Sequence, residues 1–524
     1  MGGTRYDLLT TPFQPTEDSM IRFLPLASSL FLLVAPLAAQ EGADSESKQA
    51  RGPEPEEQLF VTEHSVEIGG ATRRYRAVAE TTYLRDDSDE AEAEFFTISY
   101  ELLSDSPNTQ RPVTFAFNGG PGSASIWLHM GLLGPKLVQV PSDGEAAGAP
   151  PFPLIDNPHT LLTVSDLVFI DPIGTGFSRV VADGDTEDHW GIDEDARSVA
   201  RFIRRWISDK GRWASPKYIL GESYGGIRGP LLVRELQSGF NAVALNGLIL
   251  VSPALDMELV DGQDNDAAYA TVLPTYAATA WYHDALPERP NDLDGFLDEV
   301  RAFATEQYVP ALFAGRDLSP ERRSAIIDQL HRYTGLSTEY LERANMRVST
   351  DRFRRELLRD RGLVVGRLDS RYIGTESDAV GEVPSGDPMG SGISGAYVAG
   401  FQHYLRAELD VSMRRDYVVM SSEAGENWKR PEEEWAAFQG YVDVAPDLAR
   451  GMADNPDLRV FIANGLYDIA TSFFAAENNV ARSTMDRERV VLENYPAGHM
   501  MYVHHPTLVD LAADLKAFIT NTGP

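Results

Sequence analysis

Ser223, Asp468 and His499 are residues of this sequence whose types could together activate a nucleophile. Ser223 lies in Tyr218-Ile-Leu-Gly-Glu-Ser-Tyr-Gly-Gly226, with Gly221 two residues before it and Gly225 two after. That G-x-S-x-G spacing marks a nucleophile elbow, a strained strand-to-helix turn whose flanks must be small because strand and helix approach closely. A serine hydroxyl attacks poorly unless a base takes its proton, and the base needs a third group to hold its tautomer and orientation. Asp468, in Asn464-Gly-Leu-Tyr-Asp-Ile-Ala-Thr471, and His499, after Val490-Val-Leu-Glu-Asn-Tyr-Pro-Ala-Gly498, can fill those roles. Each follows an apolar run that reads as a strand, so each is expected just beyond a strand's carboxyl end, where sites on such sheets collect their residues. The nearest rival bases, His504 and His505, open the approach to the last helix, while His64, His189 and His331 stand in polar surroundings and read as solvated.

These residues need a sheet to hold them. Alternating runs at Ser65–Ile68 and Arg73–Val78 predict a hairpin around Gly69-Gly70, continued by Phe95–Tyr100 and Pro112–Phe117. Asp166–Ile170, Pro216–Leu220 and Leu245–Val251 read as further strands. An amphipathic helix over Asp193–Lys210 places Val199, Phe202, Ile203 and Trp206 on one face, and Ile227–Gln237 follows the elbow as a second helix. Strands alternating with helices predict an α/β fold with a mostly parallel sheet flanked by helices, and the chain order Ser, acid, His is that of the α/β-hydrolase fold. From 257 to about 415 the patterns turn helical, which predicts a cap inserted between a first core segment, 58–256, and a second, 416–524.

A tetrahedral oxyanion needs two preorganised N–H donors. One is expected from Tyr224, the residue after the nucleophile, and the other from the glycine loop Phe117-Asn-Gly-Gly-Pro-Gly-Ser-Ala-Ser125. A phosphate cradle is the competing use of such a loop, but no Gly-Lys-Ser/Thr ending follows and Pro121 lacks a donor.

Composition narrows the partners. The chain has 524 residues, no cysteine and a formal net charge of −33. That charge opposes nucleic acid and anionic membranes as partners, and the missing cysteines exclude disulfides and thiol nucleophiles. Met20-Ile-Arg22, the apolar run Phe23–Leu37 and Ala38-Ala39-Gln40 read as a signal peptide ending at residue 40, with Met20 as the start, and 41–57 as a flexible acidic leader. The apolar run is too short to span a bilayer, so an exported protein without a membrane anchor is expected, periplasmic or extracellular.

Four separated blocks resemble the serine carboxypeptidases (peptidase family S10): Asn118-Gly-Gly-Pro-Gly122 with Gly134-Pro135; Asp171-Pro-Ile-Gly-Thr-Gly-Phe-Ser178; Gly221-Glu-Ser-Tyr-Gly-Gly226; and Asn464-Gly-Leu-Tyr-Asp468 with Gly498-His-Met500. Leu273–His283 and Gly366-Arg-Leu-Asp-Ser-Arg371 look like the bacterial branch of that family. The resemblance implies Ser223 as nucleophile, His499 as base and Asp468 as its orienting acid, with Gly120 and Tyr224 as oxyanion donors. It further implies that Asn118, Gly119 and Glu222 recognise the terminal carboxylate of a peptide substrate, that Met500 lines the pocket of the released residue, and that no metal or organic cofactor is used. Glu222 can donate to a carboxylate only when protonated. The sequence departs from the family at Leu132, where a second carboxylate-binding glutamate is expected, at Ser123 in place of a cysteine, and at Met501-Tyr502 in place of Val-Pro. The expected activity is therefore a serine carboxypeptidase working through an acyl-enzyme. An esterase or acyltransferase with the same triad is the alternative, followed by a non-catalytic binding protein on the same scaffold. The sequence carries no sign of oligomeric state.

Overall fold

The computed structural model describes residues 56–104, 110–182, 184–261, 265–430 and 441–520. The expected signal peptide and most of the acidic leader lie outside the described residues.

The chain opens on a meander. Strands β1 (Leu59–Ile68) and β2 (Ala71–Arg85) pair antiparallel across Gly69-Gly70. Both glycines have positive φ, 58° and 76°, a region that costs a glycine little and other residues much. β3 (Ala91–Leu102) adds to β2, and the chain then builds β4 (Val113–Phe117), β5 (Asp166–Asp171), β6 (Lys217–Glu222), β7 (Gly247–Val251), β8 (Arg459–Gly465) and β9 (Val490–Tyr495). Their order across the sheet is β1-β2-β3-β5-β4-β6-β7-β8-β9, with the short strand Arg179–Val180 pairing β3. Pairings from β5 to β9 are all parallel, while β1 to β3 and the β3–β5 junction are antiparallel.

The central strands are apolar runs because both sheet faces are covered. On one face α1 (Ile192–Asp209) and α2 (Gly225–Gln237) bury Phe202, Ile203, Trp206 and Leu232 against Phe115, Ile219 and Leu250. On the other face Leu220, Ile249 and Phe461 pack with Leu511, Leu515 and Phe518 of α3 (His505–Thr520). This is the α/β-hydrolase architecture expected from the alternation of strands and helices.

Between β7 and β8 the chain is mainly helical and has its own apolar core, including Leu273, Tyr276, Phe303 and Phe353. Leu466, Tyr467, Ile469 and Phe473 join that core, so the loop carrying Asp468 is packed on one side by the helical stretch. One feature there departs from expectation: Leu363–Val365 and Ile373–Thr375 form a small hairpin. Three-residue strands are too short to leave a period-2 pattern.

Candidate active site

β6 ends at Glu222 and α2 begins at Gly225, leaving Ser223 and Tyr224 to make the turn. Ser223 has φ 62°, a left-handed conformation uncommon for a residue with a Cβ, and its backbone is held by N–H donation to Val251 O at 3.0 Å. Of the two flanking glycines Gly221 is the one needed for space, since a Cβ on Gly225 would meet the Phe117 ring at 3.4 Å, an ordinary van der Waals contact. A Cβ on Gly221 would lie 2.5 Å from Gly225 O and 2.8 Å from the Phe117 ring. Ser223 is half-buried between buried neighbours.

His499 donates from Nδ1 to Asp468 Oδ2 at 2.7 Å. A carboxylate only accepts, so the proton sits on Nδ1 and Nε2 is the basic nitrogen. Asp468 is fully buried and its other contacts are local: Oδ1 accepts from Ala470 N and Thr471 N, and Oδ2 also accepts from Thr471 Oγ1 at 2.7 Å. Burial opposes the charged imidazole, yet the Asp468 carboxylate outweighs it and the His499 pKa is raised. The histidine loop is fixed from two sides, with Ser252 Oγ donating to His499 O at 2.8 Å and His499 N donating to Leu368 O at 2.6 Å.

A cavity of about 470 Å³ is lined by seven of the nine sequence-predicted residues: Asn118, Gly119, Gly120, Glu222, Ser223, His499 and Met500. Asp468 stands behind His499. Tyr224 turns its side chain away, its hydroxyl accepting from Trp428 Nε1 at 3.0 Å, so only its backbone N–H can serve the cavity. No hydrogen bond joins Ser223 Oγ to His499 among the described residues, and such contacts often tighten only when substrate is bound.

The glycine loop lies against the elbow backbone. A Cβ on Gly119 would fall 2.3 Å from Tyr224 N and 2.6 Å from Glu222 O, and Gly120 has φ 107°. Neither Gly120 N nor Tyr224 N donates to another described residue, so both N–H groups remain available as donors. The Asp171 block holds this loop: Asp171 Oδ1 accepts from Ser125 N at 2.9 Å, and Ser125 Oγ donates to Ile170 O. A second brace comes from Arg228 on α2, fully buried, which donates to Asn118 O at 2.8 Å and pairs with Asp195 of α1 at 2.6 Å.

Glu222 is buried and accepts two hydrogen bonds at 2.8 Å, from Asn118 Nδ2 to Oε1 and from Tyr502 Oη to Oε2. Burial pushes its pKa up to about 7, against the lowering effects of His499 and the two donors. Leu132 is fully buried outside the cavity lining.

Sequence reasoning missed Thr471, Arg228, Tyr502 and Arg367, the last of which also lines the cavity. Tyr502 had a signal, its departure from the family's usual proline. One expectation is corrected: His189 is buried rather than solvated, with Nδ1 2.7 Å from Ser198 Oγ, because the helix after it folds back over the ring. His504 and His505 lie outside the cavity lining, engaged with Thr507 Oγ1 and Val140 O.

Comparison with known proteins places this geometry in context. The serine carboxypeptidase family model matches residues 71–286. Serine carboxypeptidase-like 36 from Arabidopsis thaliana is 29% identical over 171 residues, 32% of this chain and 33% of that protein. Serine carboxypeptidase-like 12 from the same plant is 26% identical over 216 residues, 38% of this chain and 47% of that protein. The chain thus spans a third to a half of the length of these curated relatives. Among solved structures, the Saccharomyces cerevisiae prohormone-processing carboxypeptidase Kex1(Δ)p superposes with TM-score 0.51 at 15% identity, covering 85% of this chain and 90% of that one, a likeness of fold.

Proposed function

We propose that this protein is a serine carboxypeptidase that releases C-terminal residues from peptides, a reading supported by the match of residues 71–286 to the serine carboxypeptidase family model. The observation that carries the reading is the single cavity shared by Ser223, His499 and Glu222, with Asp468 hydrogen-bonded behind the histidine at 2.7 Å.

In this mechanism the Ser223 hydroxyl attacks the last peptide carbonyl while His499 Nε2 takes its proton. Asp468 keeps the histidine in the right tautomer and stabilises the imidazolium that forms. The oxyanion is received by the N–H groups of Gly120 and Tyr224. His499 then protonates the departing amino acid, and water, activated by the same histidine, hydrolyses the acyl-enzyme. Asn118, Gly119 and protonated Glu222 face the terminal carboxylate, and Met500 faces the departing side chain. The stretch 257–415 acts as a cap over the site, between core segments 58–256 and 416–524. The reading includes export, on the strength of the signal-like residues 20–40.

The test compares an N-blocked dipeptide, its C-terminal amide and a neutral ester, with wild type and Ser223→Ala. Hydrolysis of the free acid well above the amide, abolished in the variant, is expected. Equal rates on acid and amide point instead to an esterase or acyltransferase, and an ester rate untouched by Ser223→Ala would remove the triad from the mechanism.

A further inference from the structure

One cation on the cavity wall has no role in the chemistry above. Arg367 lies in Gly366-Arg-Leu-Asp-Ser-Arg371, on the helical stretch between β7 and β8, and lines the cavity with Ser223, His499 and Glu222. Its backbone is locked into the site. Arg367 O accepts from Ile469 N at 3.1 Å, one residue beyond Asp468, and the next carbonyl, Leu368 O, accepts from His499 N. Ser370 N donates to Tyr467 O at 2.9 Å, so this segment is stitched to both the acid loop and the histidine loop.

The side chain, by contrast, is uncommitted. Arg367 is exposed, and its guanidinium makes no ion pair or hydrogen bond among the described residues. The nearby acid, Asp387, is already saturated. Its Oδ2 accepts from Arg367 N and Leu368 N, and its Oδ1 from Met389 N and Gly390 N. The other arginine of the cavity, Arg354, is buried and spent on Val365 O, Asp351 and Gly386 O. Glu222 has its own two donors. The charge of Arg367 nevertheless reaches the reacting groups, since it opposes protonation of His499.

We propose that Arg367 recognises a carboxylate of the substrate within this cavity, and so takes the place left by Leu132 as the second carboxylate-binding group. A guanidinium is suited to that role because it is planar, always charged and able to donate two parallel hydrogen bonds to a carboxylate. The carboxylate belongs either to the C-terminal residue's backbone or to an acidic side chain beside the scissile bond. This inference rests on the cavity being the substrate site proposed above.

The experiment measures binding, so that it does not depend on turnover. In a Ser223→Ala background, calorimetry compares N-blocked Ala-Phe, its amide, and the amide of N-blocked Ala-Glu. Adding Arg367→Ala is expected to weaken the carboxylate-bearing ligand about 10- to 100-fold relative to Ala-Phe amide, the range for a hydrogen bond to a charged group, with Arg367→Lys falling between. Loss confined to the Ala-Phe acid assigns the terminal carboxylate, and loss confined to the Ala-Glu amide assigns the side chain. No preference for carboxylate-bearing ligands in the Ser223→Ala background, or equal weakening of all three by Arg367→Ala, would overturn the proposal. Thermal melting of both Arg367 variants checks that the fold is intact. The proposed hydrolytic activity fails separately, through ester turnover that survives Ser223→Ala.

Discussion

Tyr502 Oη donates to Glu222 Oε2 at 2.8 Å across 280 residues of sequence. The tyrosine occupies space that Gly131 leaves open, since a Cβ there would lie 2.4 Å from its ring. Glu222, next to Ser223, is therefore not alone despite the leucine at 132.

Removing that donor should raise the Glu222 pKa further, because the hydroxyl stabilises the charged form. Tyr502→Phe is expected to shift upward the pH at which preference for free-acid over amide substrates is lost, and to cost about 1–3 kcal/mol of stability. An unmoved pH profile would show that the pair is packing alone.

Glu222 itself predicts a pH dependence. Its folded pKa of about 7 lies above its ordinary value of 4.5. Below 7 the protonated carboxyl can donate to a substrate carboxylate, whereas above 7 the carboxylate repels it. The acid-to-amide ratio should fall as pH rises through about 7 and become flat in Glu222→Gln. Stability follows the same sign. Between about 4.5 and 7 the folded state keeps a proton that the unfolded chain releases, so this group's contribution is lost as pH rises. The Tm of Glu222→Gln should gain on the wild type at pH 8, and a constant Tm difference from pH 5 to 8 contradicts the assignment.

Gly119→Ala tests the oxyanion pocket. The added methyl would sit 2.3 Å from Tyr224 N and must push loop and elbow apart. A fall in kcat of about 10²- to 10³-fold is expected, as for the loss of an oxyanion donor, accompanied by a rise in KM from the displaced carboxylate contact. A proportionate rise in KM at constant kcat would mean that the loop only binds substrate.

Arg228 predicts a structural effect. Arg228→Met strands the Asp195 carboxylate in the core, where burial already raises its pKa against the pull of the arginine. A loss of about 3–5 kcal/mol in urea denaturation is expected, partly recovered by adding Asp195→Asn. A loss below about 1 kcal/mol would mean that water reaches the pair.

How much was legible follows from the range of each interaction. The elbow is a local steric device: Gly221 is small because the Gly225 carbonyl and the Phe117 ring would stand 2.5 and 2.8 Å from its side chain. The meander turn at Gly69-Gly70, the amphipathic α1 and the strand ends that carry Asp468 and His499 are likewise written in neighbouring residues. Sequence alone determined which residues could do the chemistry and on what kind of sheet. Tertiary structure decided what surrounds them. Tyr502 beside Glu222, Arg228 under the glycine loop and Arg367 on the cavity wall are brought in by contacts spanning one hundred residues or more. No spacing rule encodes such contacts, because the identity of a partner so distant depends on how the whole sheet and the helical stretch above it pack.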